Sequence, residues 1–275
     1  MAQINMMTVD MARSFMNTHK PDSYTLLDVR QAWEYEDEHI PGARLIPLVE
    51  LPDRLDEIDS IKPILAYCRS GGRSMAASVL LEGDGFPDIN NIVGGMSSWN
   101  GETAFGPMEL GMIEFTGTET PLEMVLKAYA MESNLQQFYV ERADMAETLE
   151  RIELFMELAE LEDRHKDTLF TLYCRLSGQE MDRSVFESTA FEAKGLAAEG
   201  GVEIRDFLEQ HPAAFDDEEG ILQLATMVEA QALDYYQRCS RRVDNKETEA
   251  VLQTLAREEK AHLKLLGRHM DKREP

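Results

Sequence analysis

The sequence has 275 residues, more than the roughly 100–200 of a common domain, so two domains are expected. Apolar residues at 43% and charged residues at 29% exclude a fibre or a disordered chain, and 52 Asp plus Glu against 27 Lys plus Arg give −25. That charge argues against nucleic acid or an anionic membrane as partner, no apolar run nears the ~20 residues of a membrane span, and the N-terminus lacks a signal pattern.

Residues 1–105 alternate short apolar runs with helical stretches. Tyr24–Val29 and Ile64–Tyr67 are expected to be buried strands, Ser74–Glu82 a helix, and Asn91–Gly95 a short strand ending in glycines. Strands alternating with helices predict an α/β domain with a mostly parallel sheet. Residues 106–120 have the composition of a linker. Thr120-Pro121-Leu122-Glu123 then supplies an N-cap, a proline at the first helical position and a capping-box glutamate. From Leu122 to Ser177 there is no Gly or Pro, and residues 121–270 are expected to be all-α, with 271–275 a tail. The charge divides as −8 over 1–105 and −17 over the rest. Three scattered cysteines, Cys68, Cys174 and Cys239, fit neither a disulfide framework nor a thiolate zinc site, so a reducing, cytoplasmic setting is expected. Cys174 and Cys239 read as small packed hydrophobes.

Cys68-Arg69-Ser70-Gly71-Gly72-Arg73-Ser74 follows a strand and opens a helix. Glycines let successive backbone N–H groups converge into an anion-binding nest, and a helix N-terminus and two arginines add positive potential. Such a loop lowers a thiol pKa and stabilises a thiolate or persulfide; an inert cysteine beside a phosphate-binding loop is the alternative. With Leu26-Leu27-Asp28-Val29-Arg30, Glu34, His39-Ile40-Pro41-Gly42-Ala43-Arg44, Val93-Gly94-Gly95-Met96 and Trp99, in this order, the loop resembles a single-domain rhodanese. The resemblance covers nearly all of 1–105. It implies a sulfurtransferase in which Cys68 takes sulfane sulfur from a small donor as a persulfide and passes it to a thiol or cyanide. Arg69 and Arg73 would help hold the anionic donor, and the N–H groups of the Ser70, Gly71, Gly72 and Ser74 loop would solvate the persulfide. Asp28, Arg30 and Glu34 read as structural, and His39 as a packed loop residue.

Glu-x-x-His places two metal-capable side chains on one helical face. The match at Glu36 to His39 reads as accidental. Glu162-Asp163-Arg164-His165 and Glu259-Lys260-Ala261-His262 stand 97 residues apart. The same offset takes Glu132 to Glu229, Phe138-Tyr139 to Tyr235-Tyr236, and Ala128 to Ala225, so the motif belongs to a repeat. In each half the lone Glu precedes its Glu-x-x-His by 30 residues. Turns are expected near 147 and 244, with capping boxes at Asp144 to Glu147 and Asp244 to Glu247. Two antiparallel helices then carry the ligands at equal heights, about 22 Å from the turn.

Two such hairpins bring together Glu132, Glu162, His165, Glu229, Glu259 and His262, the ligand set of a ferritin-like four-helix di-iron bundle. Six such groups in an apolar core call for a cation; the ligands favour Fe or Mn, and Zn also fits. The segments Ala128–Tyr139, Ala159–Leu169, Ala225–Tyr236 and Ala256–Leu266 resemble a rubrerythrin-type member of the ferritin-like superfamily. That implies two iron ions, Glu132 and Glu229 as terminal ligands, Glu162 and Glu259 as bridges, one histidine per metal, Tyr139 and Tyr236 as neighbours, and an unknown electron donor. Ferritin-like hairpins often associate, so a homodimer is compatible. The chain departs from the peroxide-reducing pattern, with Ala232 where an extra Glu is usual and no Cys-x-x-Cys pair. Residues 178–220 are expected to cross between the hairpins.

Overall fold

The computed structural model describes residues 3–112, 115–192 and 217–271. The chain forms two compact units, Met1–Glu109 and Leu110–Pro275.

The first unit contains β1 (Gln3–Thr8), α1 (Val9–Thr18), β2 (Thr25–Asp28), α2 (Ala32–Asp37), β3 (Arg44–Leu45), β4 (Ile64–Tyr67), α3 (Gly72–Gly83) and β5 (Asp88–Val93). The strands form one sheet in the order β1-β5-β4-β2-β3, with every pairing parallel. A parallel sheet is covered on both faces, which is why β4 is apolar throughout. Alternation along the strands splits the core in two. Leu26, Leu65, Tyr67 and Ile92 join one cluster with Tyr35 of α2, while Leu27, Ile64, Ala66 and Ile89 join another with Ala77 and Leu81 of α3. Cys68 continues this second alternation and belongs to the α3 cluster.

Ile64–Tyr67 is the strand expected, and Thr25–Asp28 is a trimmed form of the predicted one. The third helix starts at Gly72 rather than Ser74, because Gly71, at φ 104°, takes the left-handed conformation at the N-cap. The last strand is Asp88–Val93, ending before Gly94 and Gly95, whose φ of 88° and 50° leave the strand region. The edge strands β1 and β3 carry no strong sequence signal.

The second unit is helical among the described residues: α4 (Pro121–Met145), α5 (Leu149–Ser177), α6 (Arg183–Glu192), α7 (Glu218–Ser240) and α8 (Lys246–Asp271). Helix α4 begins with the expected capping box, Thr120 Oγ1 accepting from Glu123 N and Glu123 accepting from Thr120 N. The other two caps differ from expectation. Asp144 lies inside α4, and α5 is capped by Thr148, whose hydroxyl accepts from Arg151 N and leaves a tight connection. Asn245, not Asp244, accepts from the N–H groups of Glu247 and Thr248 at the start of α8. The repeat survives in the elements themselves: Pro121 and Glu218 open α4 and α7, Leu149 and Lys246 open α5 and α8, and both pairs keep the 97-residue offset.

Helix α4 packs along α5 and α7 along α8, with α4 also meeting α8 and α5 meeting α7. Their shared core includes Met124, Ala128, Leu169, Leu172, Tyr236, Leu252 and Leu263. The segment expected as a linker is divided. Residues 110–112 and 115–119 belong to the helical unit: Met112 and Phe115 enter its core, Arg238 donates to Leu110 O at 2.7 Å, and Thr248 donates to Glu119 O at 2.8 Å. Two apolar side chains with a core to enter outweigh a linker-like composition. Of the expected crossing, α6 is described, while 193–216 and the tail beyond Asp271 lie outside the described residues. No described helix is long and apolar enough to cross a membrane.

Candidate functional site

Strand β4 delivers Cys68 to the N-terminus of α3, and the sulfur is ringed by donors. Gly71 N lies 3.1 Å from Sγ and Ser74 Oγ 3.6 Å. Burial raises the thiol pKa, yet the Ser74 hydroxyl and the N–H groups of Ser74, Gly71 and Ser70 outweigh it and hold Cys68 below the ordinary cysteine range. The loop is braced from the 3-10 turn after β5, Gly95–Ser98: Met96 N donates to Cys68 O at 2.9 Å and Ser97 N to Arg69 O at 2.8 Å. This approach requires glycine at 95, where a Cβ would collide with Cys68 O and sit 2.9 Å from its carbonyl carbon. Gly95→Ala is therefore expected to cost about 1–3 kcal/mol, read as a shift in urea midpoint. Gly72→Ala, with nothing within 4 Å of its Cβ, is expected to stabilise by roughly 0.5–1 kcal/mol. Equal midpoints for the two variants would contradict the bracing.

The two loop arginines are placed differently. Arg73 donates to both oxygens of Glu34, at 2.6 and 2.8 Å, and this pairing holds the Glu34 carboxyl below the usual range. Arg69 and Ser70 are exposed, while Ser74 is buried. Arg69 is thus the loop cation open to a solvent-borne anion, and Arg73 is tied to α2. Asp28 and Arg30 form a buried pair at the end of β2, and Arg30 also donates to Glu38 O at 2.7 Å. His39 stacks on Tyr35 at 3.6 Å with Nδ1 2.7 Å from Tyr35 O, a packing role. Asn91, not singled out from the sequence, lies beneath Ser74 with Oδ1 2.6 Å from its hydroxyl oxygen. The available signal was a pair of polar residues, Asn90 and Asn91, between Ile89 and Ile92 on a strand interior to the sheet.

In the helical unit α4 supplies Glu132, α5 Glu162 and His165, α7 Glu229, and α8 Glu259 and His262, all between 2% and 9% exposed. His165 Nδ1 lies 2.9 Å from Glu162 and 3.4 Å from Glu132; His262 Nδ1 lies 2.8 Å from Glu259 and 3.4 Å from Glu229. The two imidazoles stack with centroids 3.2 Å apart, so the two halves meet. Ligand atoms of Glu132, Glu162 and His165, and of His165, Glu229 and His262, each fall within 4.8 Å of one another. Burial and the neighbouring Glu229 and Glu132 drive the Glu259 carboxyl well above its ordinary pKa. Without a cation, these carboxylates oppose one another in an apolar core. The donor set therefore fits divalent metal, by the chemistry of its oxygen and imidazole ligands.

Ala232, one turn beyond Glu229, is fully buried, and Tyr139 and Tyr236 are buried in the same unit. Cys174 is half-buried on α5. Cys239 is buried on α7, its Sγ 3.8 Å from Met112 Sδ and its thiol pushed up to about 12 by burial.

Comparison with known proteins supports the first unit. The family described as rhodanese-like domain matches residues 8–102. The chain is 42% identical over 82 residues to YrkF of Bacillus subtilis, named as an inferred sulfur carrier protein; the match covers 30% of this chain and 44% of that one. It is 38% identical over 78 residues to YtwF of Bacillus subtilis, named as an inferred sulfurtransferase, covering 28% of this chain and 75% of the relative. It is 31% identical over 80 residues to the thiosulfate sulfurtransferase GlpE of Coxiella burnetii, covering 29% of this chain and 75% of the relative. By these matches the chain belongs to the rhodanese-like family.

Proposed function

We propose that the chain is a sulfurtransferase that carries sulfane sulfur as a persulfide on Cys68, joined to a ferritin-like, rubrerythrin-type domain with two iron ions and a redox role. The observation that carries the first part is the cysteine sulfur at the focus of the Gly71, Ser70 and Ser74 donors. The Cys68 thiolate attacks the outer sulfur of thiosulfate, a Cys68–sulfur bond forms as the donor S–S bond breaks, and sulfite leaves with the electron pair. Cyanide or an acceptor thiolate then attacks the outer sulfur and releases the Cys68 thiolate. Throughout, the loop N–H groups solvate the sulfur anion, and Arg69 attracts the anionic donor. The name of the Coxiella burnetii relative supports thiosulfate as the donor class.

For the helical domain, the supporting observation is the convergence of Glu132, Glu162, His165, Glu229, Glu259 and His262 in one buried cluster. Glu132 and Glu229 would be terminal ligands, Glu162 and Glu259 bridges, and the histidines one ligand for each ion. Bound iron supplies one-electron chemistry toward an oxidant such as peroxide or oxygen. The chain's own residues hold the ions and exclude water through the surrounding apolar side chains. The same cluster favours a second reading, a di-iron oxidoreductase whose first domain delivers sulfur or recruits a partner.

The test is metal analysis of anaerobically purified full-length protein, with its visible spectrum, beside thiosulfate:cyanide turnover. We expect two metal ions per chain and measurable thiocyanate. Background turnover with every sulfane donor tried removes the sulfurtransferase, and fewer than about one ion per chain after iron loading removes the metal domain, because two three-ligand half-sites call for a pair of ions.

A further inference from the structure

Asn91 is 1% exposed on a strand interior to the sheet, on the same face as Ile89, which packs in the α3 cluster, and its amide must find partners there. On the oxygen side it has one strong partner, Ser74 Oγ at 2.6 Å. On the nitrogen side are two thioethers, Met6 Sδ at 3.9 Å and Met75 Sδ at 3.8 Å, both weak acceptors. Ser74 Oγ in turn lies 3.2 Å from Gly71 O and 3.6 Å from Cys68 Sγ. Asn91, Ser74 and Cys68 thus form a chain of three polar groups running from the sheet to the reacting sulfur.

A hydroxyl has one hydrogen to donate. If Ser74 donates to Asn91, it has nothing for the sulfur, and the arrangement suits a neutral thiol whose S–H points to Ser74 Oγ. An anionic sulfur needs the opposite polarity, with Ser74 O–H toward Cys68 and a donor behind Ser74. Turning the Asn91 amide by half a rotation supplies that donor, because its O and NH2 ends occupy nearly the same volume. The thioethers hold the NH2 end only weakly; after the turn they have no hydrogen for the amide oxygen, a cost that the charge-assisted hydrogen bond from Ser74 to the sulfur anion offsets. A strong acceptor in place of Met6 or Met75 would lock the amide.

We propose that Asn91 is a positioning residue for sulfur transfer, its amide reversing as Cys68 becomes anionic so that the Ser74 hydroxyl donates to the thiolate or persulfide. This rests on Cys68 being the sulfur carrier, but its test does not require turnover. Other charged groups on the elements around the loop are Arg69, the Arg73–Glu34 pair from α3 and α2, and the Arg30–Asp28 pair at the end of β2. All are retained in every variant.

The experiment is the pH dependence of Cys68 alkylation by iodoacetamide in the full-length protein, read on the Cys68 peptide so that Cys174 and Cys239 do not contribute. The variants are Asn91→Leu, Asn91→Asp, Ser74→Ala and Asn91→Leu with Ser74→Ala. Asn91→Leu keeps the branched outline, though in a larger side chain, and removes the relay, so the midpoint should rise by about half a pH unit. Asn91→Asp draws the Ser74 hydrogen away and adds charge, so it should rise by about one unit or more. In the Ser74→Ala background, Asn91→Leu should add no shift. An unchanged midpoint in Asn91→Leu, or the same shift with and without Ser74, overturns the relay. If Asn91→Asp does not fold, the Asn91→Leu and Ser74→Ala cycle decides alone. Wild-type protein without turnover would remove the sulfurtransferase reading, whereas the relay stands or falls on the alkylation cycle.

Discussion

Cys68→Ser is expected to reduce thiosulfate:cyanide turnover to background, while Cys174→Ser and Cys239→Ser leave it within about twofold, less than 0.5 kcal/mol in barrier. Serine retains the loop geometry but cannot form the exchangeable sulfur–sulfur bond on which transfer depends. The other thiols lack the electrostatic setting. Cys239 is pushed up to about 12 by burial, and Cys174 sits on α5 rather than on a loop of converging donors. Mass spectrometry after incubation with thiosulfate should show one added sulfur, confined to the Cys68 peptide. A persulfide on either other cysteine, or full turnover by Cys68→Ser, would defeat the assignment.

Glu162→Ala combined with His165→Ala is expected to abolish binding of the ion pair while leaving sulfur transfer within about threefold, below roughly 0.7 kcal/mol in barrier. These residues belong to one half of the cluster, and His165 stacks directly on His262 of the other half. Removing them takes away a carboxylate and an imidazole from the group formed by Glu132, Glu162 and His165, leaving Glu132 alone of its three. The Cys68 loop is held by β4, β5 and α3, whose core residues are separate from those of the helical unit. Cys68→Ser should accordingly leave metal content unchanged. Metal should also raise the melting temperature of wild-type protein, because a ligand that binds only the native state adds about 2.7 kcal/mol at a hundredfold excess over its dissociation constant. The double variant should show no such rise. If a folded, metal-free variant loses most sulfur transfer, the sites are coupled, and two independent modules must give way to a relay between them.

The elements most legible in the sequence were those with a strong local period or a repeated motif. Ile64–Tyr67 is apolar throughout because both sheet faces are covered, and the following glycines with Cys68 announced the turn into α3. The 97-residue offset seen in the sequence recurs in the starts of α4 with α7 and of α5 with α8, as matching glutamates, histidines and small core residues recur at matching helical phase. Caps were less legible. Asp144 and Thr148 are both capable N-caps, and only the backbone path selected Thr148.

The sequence by itself determined two groupings of side chains, a cysteine in a glycine-rich loop and a repeated pattern of glutamates and Glu-x-x-His, since both depend on residue type and spacing along the chain. The tertiary structure alone decided which partners those groups meet. Arg73 is 39 positions from Glu34, so no local pattern disclosed that this loop cation is tied to α2 while Arg69 is exposed. Asn91 is 17 positions from Ser74, and its place beneath the hydroxyl follows from the stacking of α3 on the sheet. Met112 and Phe115 could be assigned to the helical core only once that core existed to receive them. Short spacing fixes which side chains share a face. Pairing across the sheet and between helices depends on long-range packing, where one register among many is chosen by the fit of the whole core.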